Sequence, residues 1–310
     1  MPDSFSDTRI AALEKRKAEL IEEYQAANRQ LARELDDANR LKLKRRIEDL
    51  EAEIADMERQ IETLQGQSVS SRKISAPRPP GQYRVLVDEY HGEHLFTSQN
   101  RRRLLSSGFR CMTLKEAYTG KQLSGFDVLA IWFAHSLGGT LPSFSQEELS
   151  AISEYLARGG NALLMGLGWA WAQYEKRSME EYPLNLIAER YGIFFTEATI
   201  SSVAGVHYTQ SPITFSKPFM AEHPITSAVH VIGCPDAIPG SLLVEPPAVQ
   251  LIWGSNETRD SDGAQNPIVL AAGKAGSGRI VCLQHAGYAT HMAYNNFALL
   301  KNILEWLVSG

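Results

Sequence analysis

Four histidines and two carboxylates stand where α/β proteins keep their chemistry. The stretch DEYHGEH (88–94) places Asp88, Glu89, His91 and His94 directly after the apolar run YRVLV. His135 follows DVLAIWFA. His285 follows GRIVCLQ and precedes Ala286, Gly287 and Tyr288. A fourth apolar run, NALLM, leads into GLGWAWAQY (166–174), a glycine-bracketed turn that carries Trp169 and Trp171. Carboxylates beside imidazoles can act as general acids and bases. His91, His135 and His285 with Asp88 or Glu89 could also form a His/carboxylate metal set. The spacing His91-x-x-His94 is not the H-E-x-x-H of a zinc helix. Trp169 and Trp171 either pack the following helix onto a sheet or form the apolar wall of a ligand pocket.

These residues need a frame that brings four chain segments to one edge. From residue 82 onward, apolar runs alternate with amphipathic stretches. YRVLVD, FRCMTL, DVLAIWFA, NALLMG and IFFTEATI read as strands; residues 95–107 and YPLNLIAERYG read as helices. Ser145 and Glu148 form a capping box for a helix that stops at Gly159-Gly160. NPIVLAAGKAGSGRIVCLQH reads as a hairpin turning at Lys274–Gly278, and YNNFALLKNILEWL as a closing helix. The alternation predicts an α/β domain over 82–310, with a mainly parallel sheet and helices on both faces. Residues 201–245, rich in Pro, Ser and His, are expected to form an irregular insertion with short strands. In such a sheet ligands bind beyond the carboxyl ends of the strands, where these residues fall.

The first 65 residues differ in kind. They contain no Gly and a single Pro, Pro2. Apolar positions fall at Ile10, Leu13, Leu20, Tyr24, Ala27 and Leu31, with Lys17 on the same seam. After DDAN they resume at Leu43, Ile47, Leu50, Ile54, Met57, Ile61 and Leu64, in alternating steps of four and three. That is an a/d seam, which one helix cannot bury alone. Asp7 and Thr8 can cap the first helix. The break near the middle predicts an antiparallel coiled-coil hairpin over 1–65, with self-association or a partner protein engaging residues 7–65. Residues 66–81, GQSVSSRKISAPRPPG, read as a linker.

Composition removes several classes of function. A net charge of −5 and the lack of a long basic stripe argue against nucleic-acid binding. No run approaches ~20 apolar residues, so no membrane span is expected. Cys111, Cys234 and Cys282 are far apart and odd in number, which fits a reducing, cytoplasmic setting better than a disulfide framework.

VDEYHGEH, DVLAIW and FSQEELSAISEYLARGGNALLMG together resemble the class I glutamine amidotransferase-like, flavodoxin-like domains. DEYHGE is similar to the D-E-x-H-G start of bacterial members of that superfamily. GWAWAQY followed by YPLNLIAERYGIFFT resembles the amidotransferase-like domain of the TRP-channel-associated factors, as does GSGRIVCLQHAGY followed by NILEWL. The N-terminal segment resembles adaptor hairpins of bacterial conflict and signalling proteins, which pair like with like. The resemblance implies a nucleophile within G-x-C-x-G, a position that Gly168 holds here, and a catalytic His that His285 retains. Gly287 replaces the carboxylate two residues beyond the His. Without nucleophile or orienting carboxylate, the thioester route to amide hydrolysis is closed.

The expectation is therefore a non-catalytic, ligand- or partner-binding protein that uses Asp88, His91, His135, Gly168, Trp169, Trp171, His285 and Tyr288. The alternative is a hydrolase-type enzyme that uses Asp88, Glu89, His91 and His285. No cofactor is expected beyond a divalent metal on His91, His135 and His285.

Overall fold

The computed structural model describes residues 82–134, 142–203, 206–207, 212–235 and 237–309, together with helical positions between 12 and 57. The chain forms two compact units. One is Met1–Pro77 with Met292–Tyr294, and the other is Arg78–His291 with Asn295–Gly310.

In the first unit the described residues between 12 and 30, and again between 39 and 57, are helical. Leu20, Ala27, Ile47 and Leu50 form a buried cluster, with Met57 packed against it. Lys17 is buried with them, its position fixed by the seam. Arg46 reaches Glu23 at 2.8 Å, tying the two helical stretches together. The caps expected at Asp7 and Thr8, the apolar positions Ile10, Tyr24, Leu31, Ile54, Ile61 and Leu64, and the linker 66–81 lie outside the described residues.

The second unit is α/β. Its strands are β1 (Tyr83–Asp88), β2 (Phe109–Leu114), β3 (Val128–Phe133), β4 (Asn161–Gly166) and β5 (Ile193–Thr199). They continue with β6 (Ser202–Val203), β7 (Val206–His207), β8 (Ile213–Ser216), β9 (Val231–Cys234) and β10 (Gly240–Val244). The last three are β11 (Val249–Trp253), β12 (Ile268–Ala275) and β13 (Gly278–Gln284). The main sheet runs β2-β1-β3-β4-β13-β12-β10-β5, with β11 also on β12. β3 and β4 are buried along their whole length, as interior parallel strands require, whereas edge strand β2 alternates. Two apolar cores cover the faces. Val85, Val87, Trp132 and Leu283 belong to one; Leu86, Phe133, Leu164 and Cys282 belong to the other.

The mainly parallel sheet expected from the sequence is only half of what forms. β2, β1, β3, β4 and β13 are parallel, and everything beyond β13 is antiparallel. The reversal begins at the hairpin expected over Lys274–Gly278, which forms with Ala275 paired to Gly278 across a turn at Gly276 with φ 65°. A connection this short reverses the chain and cannot make a parallel crossover. The segment 201–245 carries the short strands expected of it, β6 to β9. Among its described residues, β8 and β9 pair as a ladder, and β10 joins the main sheet beside β5.

Three helices matter for the site: α1 (Ser98–Ser106), α2 (Gln146–Ala157) and α3 (Asn296–Leu307). α2 begins in the expected capping box, with Ser145 Oγ accepting from the Glu148 N–H and Glu148 from the Ser145 N–H. The helix read from YPLNLIAERYG shrinks to single turns at Asn185–Ala188 and Glu189–Tyr191, ended by Gly192 at φ 80°.

Candidate functional site

The carboxyl edge of the parallel strands carries a buried polar cluster built on DEYHG. Asp88 ends β1 on the face of the second core. Its Oδ1 accepts the N–H groups of Tyr90 and His91, each at 2.9 Å, which turns the chain back over the edge. Its Oδ2 lies 2.9 Å from His91 Nδ1, and both side chains are fully buried. Gly92 follows because nothing else fits: a Cβ there would lie 2.7 Å from the Trp132 carbonyl oxygen and 2.9 Å from that of Asp88. Glu93 N–H then donates to the Trp132 carbonyl at 2.8 Å.

The other side of His91 meets Glu148. Nε2 lies 3.1 Å from Glu148 Oε1, within ion-pair distance but off the axis of a hydrogen bond. The same Oε1 accepts the Tyr118 N–H, and Oε2 accepts the Ser145 N–H. Phe144 lies against the imidazole at 4.3 Å between ring centres, with Tyr90 and Tyr118 at 4.8 and 5.3 Å. The Tyr118 hydroxyl is buried and makes no well-formed hydrogen bond. Burial first, and then the charges of Asp88 and Glu148, push its ionisation well above the usual tyrosine range, so it stays protonated. His91 Nδ1 is committed to Asp88, while Nε2 faces Glu148 without a well-formed hydrogen bond. Among the described residues, no group of three or more His, Cys, Asp and Glu side chains has metal-holding geometry.

Glu89 turns outward into a separate network. It contacts His94 Nδ1 at 2.8 Å, Arg101 at 3.3 Å and Lys115 at 3.8 Å. Three cationic or titratable partners on one carboxylate make a rim brace rather than an available base.

His285 lies on the opposite face of the sheet. Its ring sits 5.2 Å from Trp132 and 6.2 Å from Tyr288, both in the first core, whereas His91 faces Phe144 and Tyr118 of the second. The two histidines expected to share a cleft are therefore separated by the sheet. His135 lies outside the described residues. His285 adopts a left-handed backbone at φ 75°, an uncommon conformation for a side-chain-bearing residue. Its Nδ1 accepts the Gly287 N–H at 3.0 Å, so a neutral ring carries its proton on Nε2. Burial lowers its pKa to about 4.

That shift gives a pH prediction. The folded pKa lies below the unfolded value, so protonation favours unfolding. The stability is fully present above about pH 6.5 and declines as pH falls toward 4. Replacing His285 with Asn, which tolerates the left-handed backbone, should flatten that decline by as much as about 2 kcal/mol, measured by urea titrations at pH 4.5 and 7.5.

The remaining expected residues are structural. Tyr288 is fully buried and its hydroxyl donates to the Ile213 carbonyl at 3.1 Å. Trp171 is buried, its Nε1 donating to Ser178 O, and it packs edge-on against Phe133 and Tyr182. Trp169 is half-buried, with Nε1 on Ile238 O at 2.9 Å. Both indoles are thus tied down by their own N–H groups, and the wall reading fails for Trp171. At Gly168 an added Cβ would lie 2.3 Å from the Thr196 carbonyl oxygen. The position that would hold a nucleophile has no room for any side chain.

Glu148, Tyr118 and Phe144 are not evident as site residues in the sequence. The capping box marks Glu148, but its second role depends on the packing of α2 beside β1. A cavity of about 490 Å³ opens at the opposite, amino edge, lined by Tyr83, Asp127, Tyr155, Asn161 and Arg279. The candidate residues lie at the other end of the strands.

Two parts of the chain match known families. Residues 3–64 match the family described as Effector-associated domain 9, and residues 140–212 match the one described as TRPM8, N-terminal domain. No curated protein matches the chain by sequence. Among solved structures, the mmIFT52 N-terminal domain is similar at 18% identity and a TM-score of 0.54, over 73% of this chain and 98% of that one. The cytoplasmic protein STM1381 from Salmonella typhimurium LT2 aligns at 16% identity and a TM-score of 0.45, over 72% and 98%. Likeness at this level is one of α/β fold. No helix among the described residues is long and apolar enough to cross a membrane.

Proposed function

We propose that the chain is a non-catalytic, partner-binding protein. Its N-terminal segment folds as a helical hairpin and recruits its partner. Its α/β unit is a degenerate amidotransferase-like domain that serves as the delivered or sensing module of a bacterial conflict or signalling system. The observation that carries the reading is the closure of the strand edge. Gly168 cannot bear a side chain, and Asp88 and His91 are sealed beneath Phe144, with Asp88 on His91 Nδ1 and Glu148 closing over Nε2. Among the described residues at that edge, the acid and base that end β1 and follow it are buried, which favours binding over catalysis there. The similarity of residues 3–64 to Effector-associated domain 9 supports recruitment by the helical segment. His285 and the half-buried Trp169 are what the edge still offers a ligand.

The test is a seam variant of the full chain. Leu50 is buried in the helical cluster. Leu50→Asp is expected to lower the mass measured by light scattering, while the α/β unit keeps its unfolding midpoint. Unchanged assembly in a chain that has lost helix content would contradict recruitment through this segment.

A further inference from the structure

Strand β2 ends the main sheet and pairs with β1 alone. Tyr83 N–H donates to the Gly108 carbonyl, and Glu89 N–H to that of Leu114. Alternation between these two points turns the backbone groups of Arg110 and Met112 toward β1. It turns those of Phe109, Cys111 and Thr113 outward, where no strand meets them among the described residues. The side chains along this edge are partly apolar and of one charge. Met112 is 43% exposed and Leu105 41%, two large apolar groups left in solvent. Arg110 stands in register with Arg84, on the face that Met112 shares. Arg84 contacts Met112 Sδ at 3.8 Å and covers the Phe126 ring at 4.7 Å. Neither guanidinium forms an ion pair among the described residues. On the other face Arg101 donates to Thr113 Oγ1 at 2.7 Å, and Leu105 follows one turn along the same side of α1. Residues 95–114 contain four Arg and no acid.

We propose that β2 docks an extended acidic segment of a partner protein, which adds to the sheet as one more strand. Pairing with the outward backbone groups of Phe109, Cys111 and Thr113 supplies the affinity. Cross-strand neighbours supply the selectivity: a carboxylate opposite Arg110 and, two positions away on the same face, an apolar residue opposite Met112. Charge on an exposed strand ordinarily keeps other strands off. Here one sign prevails, so the edge discriminates. A second copy of β2 would bring Arg84 and Arg110 of both chains to one seam, whereas an acidic strand is drawn in. The surface belongs to the α/β unit, and it gives that unit a partner apart from recruitment through the helical segment.

The probe is a fluorescein-labelled peptide, TETVTET, whose acids and valine share one face of a strand in either direction. Its binding to the full chain is followed by fluorescence anisotropy. The peptide should bind about tenfold or more tightly than its basic counterpart TKTVTKT. It should exceed by a similar factor, about tenfold, a copy N-methylated at every residue, which keeps the charges and loses the backbone donors. Arg84→Glu with Arg110→Glu should weaken TETVTET about tenfold or more and make TKTVTKT the tighter ligand, while the unfolding midpoint stays near native. Leu50→Asp should bind TETVTET as the native chain does, so failure of this surface and failure of helical recruitment are read separately. A native chain that does not bind TETVTET, or binds TKTVTKT equally well, overturns the proposal. Equal binding of the N-methylated copy would mean that the arginines attract anions without strand pairing, which also overturns it, as does a charge reversal without effect.

Discussion

Replacing His91 with alanine is expected to cost the α/β unit about 3–5 kcal/mol, among the largest effects of any single change. The imidazole is fully buried between Asp88 and Glu148, at 2.9 and 3.1 Å. Removing it leaves two carboxylates facing each other across a void, without the partner that offset their desolvation. Phe144 would also lose the ring it packs on. Glu148→Gln should cost much less, about 1 kcal/mol. His91 keeps Asp88, and the amide oxygen can still cap α2 through the Ser145 N–H. Chemical denaturation monitored by tryptophan fluorescence separates the two. Equal losses for both variants would mean that His91 is not the centre of the cluster.

Gly168 is the second position where a small change should have a large effect. Alanine there is expected to lower stability by about 1–3 kcal/mol, because the Cβ would approach the Thr196 backbone oxygen at 2.3 Å and Met179 at 2.8 Å. Backbone cannot move aside as a flexible side-chain end can. Gly168→Cys, which rewrites the position as the amidotransferase nucleophile, should be at least as destabilising and should release no ammonia from glutamine. His285 lacks the orienting carboxylate that Gly287 replaces, and the sheet separates it from the Asp88–His91 cluster. Ammonia release by a folded Gly168→Cys variant would show that the edge keeps latent amidotransferase chemistry.

Much of this arrangement is legible in the sequence, because it is local. YRVLVD and NALLMG occupy the same residues as β1 and β4, and the Ser145–Glu148 box starts α2. Strand ends follow from apolar runs, so the approach of Asp88 and His91 to the carboxyl edge could be read in advance. What could not be read is which face each residue takes. Asp88 follows the alternation of β1, but His285 lies one residue past β13 with a left-handed backbone, and it turns toward Trp132. Listing residues by strand end gathers them at one edge and ignores the sheet between them. The tryptophans illustrate a second limit. The indole N–H groups of Trp171 and Trp169 find the carbonyls of Ser178 and Ile238, seven and 69 positions away, and no periodicity encodes those contacts. The hairpin of β12 and β13 is legible from its turn at Lys274–Gly278, but the antiparallel continuation through β10, β5 and β11 is not, because an apolar run reads the same in either direction.

The central claim is that the chain works by assembly through its helical segment rather than by chemistry at the strand edge. Light scattering on the full chain and on residues 66–310 tests it most directly, since the α/β unit has its own two cores. The account predicts an assembly for the full chain and a folded monomer, near-native in unfolding midpoint, for the shortened one. Equal assembly of both, with residues 1–65 removed, would contradict it.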